Sequence, residues 1–275
     1  MGRPVRFALA IMLAGVLAQS CGGASDIPEG PGTVEVDGVT FAYHCQGSGT
    51  PIVISEDGFT AEIIPGVHDV DIWFNMPVGI EEVSTVCAYG RRGVHLTDPL
   101  TSSDDRLSSD HVADLKGLID AVGWKGPFIL VGHSYGGMIV RLFADTYPDM
   151  VTGLLFVDSS SPDQGGFGVL PQEPEFFNFF RSADEVAAVD DLGDLPMIVL
   201  SRGSPVHSVK GSPDGGLPPM VPLYDDELAW AGFQEDIALL STDSEHIVLD
   251  DAGHMIHFDR PDAISDALQR LIDKS

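Results

Sequence analysis

The residues whose types and spacing invite chemistry stand in one stretch, Gly132-His133-Ser134-Tyr135-Gly136-Gly137. An apolar run from Pro127 to Val131 leads into it, and Met138, Ile139, Leu142 and Phe143 follow at helical spacing. Strand, then Gly-x-Ser-x-Gly, then helix can hold a serine on a tight turn with its hydroxyl projecting from the sheet. Crowding explains the glycines. Where strand and helix close on the turn, the positions two before and two after the serine have no room for side chains. Gly132 and Gly136 fill those positions, and Gly137 lets the helix pack against the strand. A serine hydroxyl is a poor nucleophile at neutral pH, so it needs a base in reach and a carboxylate to orient that base. It also needs N–H donors for the charge that builds on a substrate oxygen. The backbone N–H of Tyr135, directly after the serine at the helix start, is one such donor. The bland alternative is a glycine-rich turn with no chemistry.

The elements that would position this stretch alternate along the chain. Val34 to Tyr43 reads as a hairpin turned at Asp37-Gly38. Pro51 to Ser55, Val83 to Tyr89, Phe128 to Val131, Leu154 to Val157, Met197 to Leu200 and Ile247 to Leu249 read as short apolar strands. Val112, Leu115, Leu118, Ile119 and Val122 recur at helical spacing and stop at Gly123. Leu228 to Leu240 and Ile264 to Ile272 read as further helices, the last opened by Pro261. This alternation predicts an α/β fold with a mostly parallel sheet flanked by helices. Ser159 to Leu195, rich in Pro, Gly and Phe, breaks the pattern, and so does the loop from Ser201 to Asp225. Residues 159–195 read as a small lid, with Phe176, Phe177, Phe179 and Phe180 either lining an apolar pocket or packing the lid to the body.

The N-terminus reads as an export signal over residues 1–20, with Arg3 and Arg6 ahead of an apolar core from Phe7 to Ala18. Leu17-Ala18-Gln19-Ser20-Cys21 resembles a bacterial lipobox, which makes Cys21 the candidate lipidation site; an ordinary secretory signal with Cys21 incidental is the alternative. Residues 21–32 read as a linker and 33–275 as one domain. The expected location is therefore outside the membrane, lipid-anchored or secreted. Forty-two acidic against fourteen basic residues give a formal net charge of −28, which argues against nucleic acid and anionic lipid surfaces as partners. Cys45 and Cys87 remain as a disulfide pair or as two buried thiols.

By these features the chain resembles the α/β-hydrolase superfamily over nearly all of its expected mature length. Gly132 to Gly137, Ala252-Gly253-His254 and Tyr89-Gly90-Arg91-Arg92-Gly93 carry the resemblance. The last is similar to a Tyr-Asp-Arg-x-Gly segment of many members, with Gly90 in place of the aspartate. The resemblance implies His254 as the base, since members carry it after the last strand; His257 is its competitor, and His133 is expected to pack locally. It offers two places for the acid. Asp158 ends the Leu155-Phe156-Val157 strand, one strand before the commoner position, where Ser201-Arg202-Gly203-Ser204 holds no carboxylate before Asp214. Asp158 is expected, with Asp214 as the runner-up and Asp250 and Asp251 as exposed turn residues. Relatives carry His-Gly-x after the third strand; here it is Asp57-Gly58-Phe59, so the resemblance implies the Phe59 N–H as the second oxyanion donor. It also places the strands of Cys45 and Cys87 side by side, which favours the disulfide.

The expected function is a serine hydrolase acting through a Ser134-His254-Asp158 triad on an ester or similar acyl compound, by way of an acyl-enzyme. Serine rather than aspartate at position 134 argues against dehalogenase and epoxide hydrolase chemistry. A non-catalytic exported binding protein, or a cofactor-free haloperoxidase-like or carbon–carbon hydrolase activity on the same residues, is the alternative. No metal-ligand spacing or phosphate loop is evident, so no cofactor is expected. The partner expected is a small acyl substrate, with membrane contact only through a lipid at Cys21.

Overall fold

A computed structural model of the chain describes residues 29–58, 80–94, 96–100, 105–164, 177–203 and 227–275. Its strands are β1 (Gly30–Val36), β2 (Val39–Gly47), β3 (Ile52–Glu56), β4 (Thr85–Tyr89), β5 (Phe128–His133), β6 (Val151–Val157), β7 (Met197–Arg202) and β8 (Ser244–Leu249). The helices are α1 (Ser108–Val122), α2 (Tyr135–Thr146), α3 (Phe179–Ala187), α4 (Glu227–Ala238), α5 (Ile256–Asp259) and α6 (Pro261–Ile272). All eight strands form one sheet in the order β1-β2-β4-β3-β5-β6-β7-β8. β2 pairs antiparallel with β1 and β4, and the remaining pairings are parallel.

The first hairpin turns at Asp37 and Gly38, both at positive φ (49° and 78°), the backbone that a two-residue turn between twisted strands requires. β1 begins at Gly30, inside the stretch expected to be linker. As an edge strand it tolerates Gly30, Pro31 and Gly32, which pair with Cys45, His44 and Tyr43. The central strands are apolar on both faces because helices cover both. From β5, Phe128 and Leu130 join Leu115, Leu118 and Phe143 of α1 and α2 in one core. Ile129 and Val131 face the other way, against Ile264, Leu268 and Leu271 of α6. The alternation of side chains along a strand divides one continuous apolar run between two cores.

Part of the stretch read as a lid belongs to the body. Phe177 and Phe179 are buried in the first core, and Val186 of α3 joins them. Phe180 is 45% exposed, and Phe176 lies outside the described residues. The ring of Phe177 lies against Tyr135, with centroids 4.1 Å apart. Packing onto the body is therefore what Phe177 and Phe179 do. Arg141 of α2 donates from Nε (3.1 Å) and Nη2 to the Val189 carbonyl, fastening the return of this segment. Cys45 and Cys87 face each other across β2 and β4 and are joined as a disulfide, with Cα atoms 4.1 Å apart. No helix among the described residues is long and apolar enough to cross a membrane.

Candidate active site

Ser134 stands between the last residue of β5 and the first of α2, at φ 50° and ψ −123°. Side chains are normally shut out of this region, so the turn stores strain that its surroundings must hold. Its N–H donates to the Val157 carbonyl (3.3 Å), and its carbonyl accepts from Gly137 (3.0 Å) and Ser160 (2.8 Å). The hydroxyl takes no part in capping α2. The glycines are needed as the sequence suggests. A Cβ on Gly136 would overlap the Glu56 carbonyl oxygen, and one on Gly132 would lie 2.6 Å from the Cα of Gly137. Gly58 is a third such position, which the Ser134 motif does not announce: a Cβ there would come within 2.9 Å of the Ser134 Cβ. The turn after β3 is thus pressed against the serine.

Asp158 follows the last residue of β6 directly, fully buried and at φ 43°. Its Oδ1 accepts from the Arg202 backbone N–H (3.0 Å) and from Nε1 of Trp230 (2.8 Å). Its Oδ2 accepts from Nη1 of Arg202 (2.7 Å) and from Nδ1 of His254 (2.6 Å). Burial pushes the Asp158 carboxyl up. The hydrogen bond and charge of His254, with the Arg202 guanidinium and N–H, outweigh it and hold the carboxyl down to about 2. An ionised acceptor fixes Nδ1 of His254 as the donor nitrogen and leaves Nε2 for another partner.

His254 itself lies between β8 and α5, 6% exposed. Its carbonyl oxygen is 3.0 Å from Nε2 of His133, the residue before the serine. The His133 and His254 rings are 4.8 Å apart, and His257 packs edge-on to His133 at 4.7 Å. His133 therefore does more than pack locally, because it ties the His254 backbone to the turn. Burial, then the neighbouring His254, lowers the His133 pKa to about 3; burial also holds His257 well below the usual imidazole value. Both stay neutral where enzymes work.

A second buried cluster braces the turn after β3. Glu56 accepts from Nη1 of Arg91 (2.7 Å) and from the Tyr89 hydroxyl. Arg91 also donates to the Asp57 carbonyl (2.7 Å, Nη1) and the Gly58 carbonyl (2.6 Å, Nη2). Phe59, the expected second oxyanion donor, lies outside the described residues, as do Asp214 and Cys21. Asp250 and Asp251 are exposed, and Asp251 pairs with Arg260 at 2.9 Å. The structure thus joins His254 to Asp158 and ties the His254 carbonyl to His133, the residue before Ser134, with Tyr135 at the start of α2. It adds Arg202, Trp230, His133 and the Glu56–Arg91 pair. Among the described residues, no group of three or more His, Cys, Asp or Glu is arranged to hold a metal ion.

Residues 51–208 match the family model described as alpha/beta hydrolase fold. The chain belongs to the α/β-hydrolase family. Uncharacterized protein YqjL of Bacillus subtilis is 24% identical to this hydrolase over 243 residues, 83% of this chain and 87% of that one. Type I acyl-CoA thioesterase mpaH of Penicillium roqueforti is 31% identical over 163 residues; the match spans 56% of this chain and 35% of that protein. Among solved structures, a thermophilic esterase from Thermogutta terrifontis has a similar fold, with a TM-score of 0.59 and 17% identity over 89% of this chain and 98% of that one. On the family match, which spans more than half of its residues, the chain is an α/β-hydrolase enzyme.

Proposed function

We propose that this hydrolase cleaves an ester or related acyl compound through an acyl-enzyme on Ser134. One observation carries the reading: the 2.6 Å bond from Nδ1 of His254 to a buried, ionised Asp158, beside a serine on a strained turn. In the first half-reaction Nε2 of His254 takes the Ser134 proton while Oγ adds to the acyl carbon. The carbonyl electron pair becomes an oxyanion, received by the Tyr135 N–H and, on the family resemblance, by the Phe59 N–H. Collapse restores the carbonyl and breaks the bond to the leaving group, which takes the proton from His254. In the second half a water gives its proton to His254 and adds to the acyl carbon. Oγ then departs, regains the proton, and the acid product is released. Asp158 touches neither reactant. It orients the imidazole and stabilises it while charged.

The acyl-CoA thioesterase named above supports screening thioesters alongside oxygen esters. Export through residues 1–20 and a lipid on Cys21 belong to the same proposal. Support comes from the apolar N-terminal run and from the disulfide, which persists in oxidising surroundings. Mass measurement of the processed N-terminus tests that part.

Treatment with a fluorophosphonate probe followed by peptide mapping tests the chemistry. Phosphonylation of Ser134 with loss of fluoride is expected, and it should vanish in Ser134→Ala and fall by at least two orders of magnitude in His254→Ala. No label on folded wild-type protein would favour a binding protein that keeps the fold.

A further inference from the structure

Arg202 ends β7, the place where the sequence reading looked for a carboxylate and found none. Its backbone N–H and its guanidinium both point to Asp158, one to each carboxylate oxygen. The pair is sealed: the Arg202 side chain is 1% exposed and that of Asp158 0%. Trp230 of α4 lies flat beneath the guanidinium, 4.2 Å from ring centroid to Cζ, while its own Nε1 donates to Asp158. The edge of the same indole faces the His254 ring at 6.0 Å. Arg202 and Trp230 thus form a socket from two elements around a carboxylate supplied by a third.

We propose that Arg202, seated on Trp230, is the positioning residue that fits Asp158 for its role from the tip of β6 and limits the charge that Asp158 lends to the His254 ring. This rests on the serine-hydrolase reading above. A carboxylate whose only neighbour is an imidazole lends its full charge to the imidazolium. Here Oδ2 serves a permanent cation and His254 at once, so part of that charge is already compensated. Arg202 and a protonated His254 thus compete for the same carboxylate oxygen. Among the described residues, the remaining groups around His254 leave this balance to Arg202. His133 on β5 and His257 on α5 stay neutral, Trp230 carries no charge, and Asp259 is half-buried and accepts the Gly253 N–H. Asp250 and Asp251 face solvent, where screening weakens their pull.

The test is the rate of fluorophosphonate labelling of Ser134 as a function of pH, in wild type, Arg202→Gln and Arg202→Lys. This readout needs no knowledge of the substrate. In Arg202→Gln the acid limb of the profile should move up by on the order of one pH unit, because the imidazolium regains the full carboxylate charge. Arg202→Lys keeps the cation and should return the limb close to its wild-type position, with a lower plateau because the fork geometry is lost. A limb that stays in place in folded Arg202→Gln, or that moves equally in Arg202→Lys, would overturn the proposal. If Arg202→Gln does not fold, Arg202→Met, which keeps length and packing on Trp230, carries the same expectation. Failure of wild type to label at any pH would instead strike the serine-hydrolase reading, so the two failures are distinct.

Discussion

Ser134 occupies φ 50° and ψ −123°, a conformation open to glycine and costly for any residue with a Cβ. Stability and chemistry are therefore opposed at this position. Ser134→Gly should raise the unfolding free energy by about 1 kcal/mol, read by urea titration, while abolishing phosphonylation. A destabilised Ser134→Gly protein would mean that the turn is relaxed and the hydroxyl is held by contacts instead. At this scale the sequence was legible where a motif constrains neighbours. Gly132, Ser134 and Gly136 announce one another, and His254 enters through the family resemblance. Arg202 and Trp230 carried no such signal. They lie 44 and 72 residues from Asp158, and their roles come from pairing and packing rather than spacing. Arg91 was noticed only as part of a resemblance, and its grip on the Asp57 and Gly58 carbonyls emerges in three dimensions.

Elements were read best where hydrophobic pattern and burial agree. The eight strands and the long helices were expected close to where they occur, since each is a short apolar run or a periodic stripe bounded by turn residues. Edges were read worst. β1 starts in glycine and proline because an edge strand leaves one side unpaired. In the segment read as a lid, α3 buries Phe179 and Val186 against the body, and residues 165–176 lie outside the described residues. The disulfide also belongs to this scale. It ties the antiparallel margin of the sheet to β4 and closes a loop with a sequence separation of 42, which contains β3 and the turn pressed on Ser134. Loop closure predicts that replacing both cysteines by serine lowers stability by about 4 kcal/mol. Thermal unfolding of the double variant checks this; an unchanged midpoint would show that the unfolded chain gains little freedom from the loss.

At the scale of the molecule, three of the described histidines, buried and held neutral, govern the response to acid. His111, His133 and His257 are 2%, 5% and 4% exposed, and burial is the first cause of each lowered pKa. The unfolded chain takes up these protons near pH 6.5, whereas the folded protein refuses them until far lower, about 3 for His133. Stability is therefore full above about pH 6.5 and drains as pH falls, by about 1.4 kcal/mol per pH unit for each histidine. Acidification also relieves repulsion within a chain of net charge −28, an opposing effect. Salt screens surface charges within about 10 Å and leaves the buried groups untouched, so the histidines win. Urea midpoints at pH 7, 6 and 5 in 0.1 M salt should fall in sequence; a flat series would show that the surface term dominates.

Chain order adds a last consequence. Serine and aspartate come from consecutive strands, β5 and β6, and both are in place before the chain enters residues 165–176 and later 204–226. An acid borne after β7 would instead lie beyond the first of these stretches and at the threshold of the second. With Asp158 on β6, insertions and deletions in either stretch leave the sequence separation of Ser134 and Asp158 unaltered. Changes of length in those passages can thus be absorbed without altering the two neighbouring strands that carry Ser134 and Asp158.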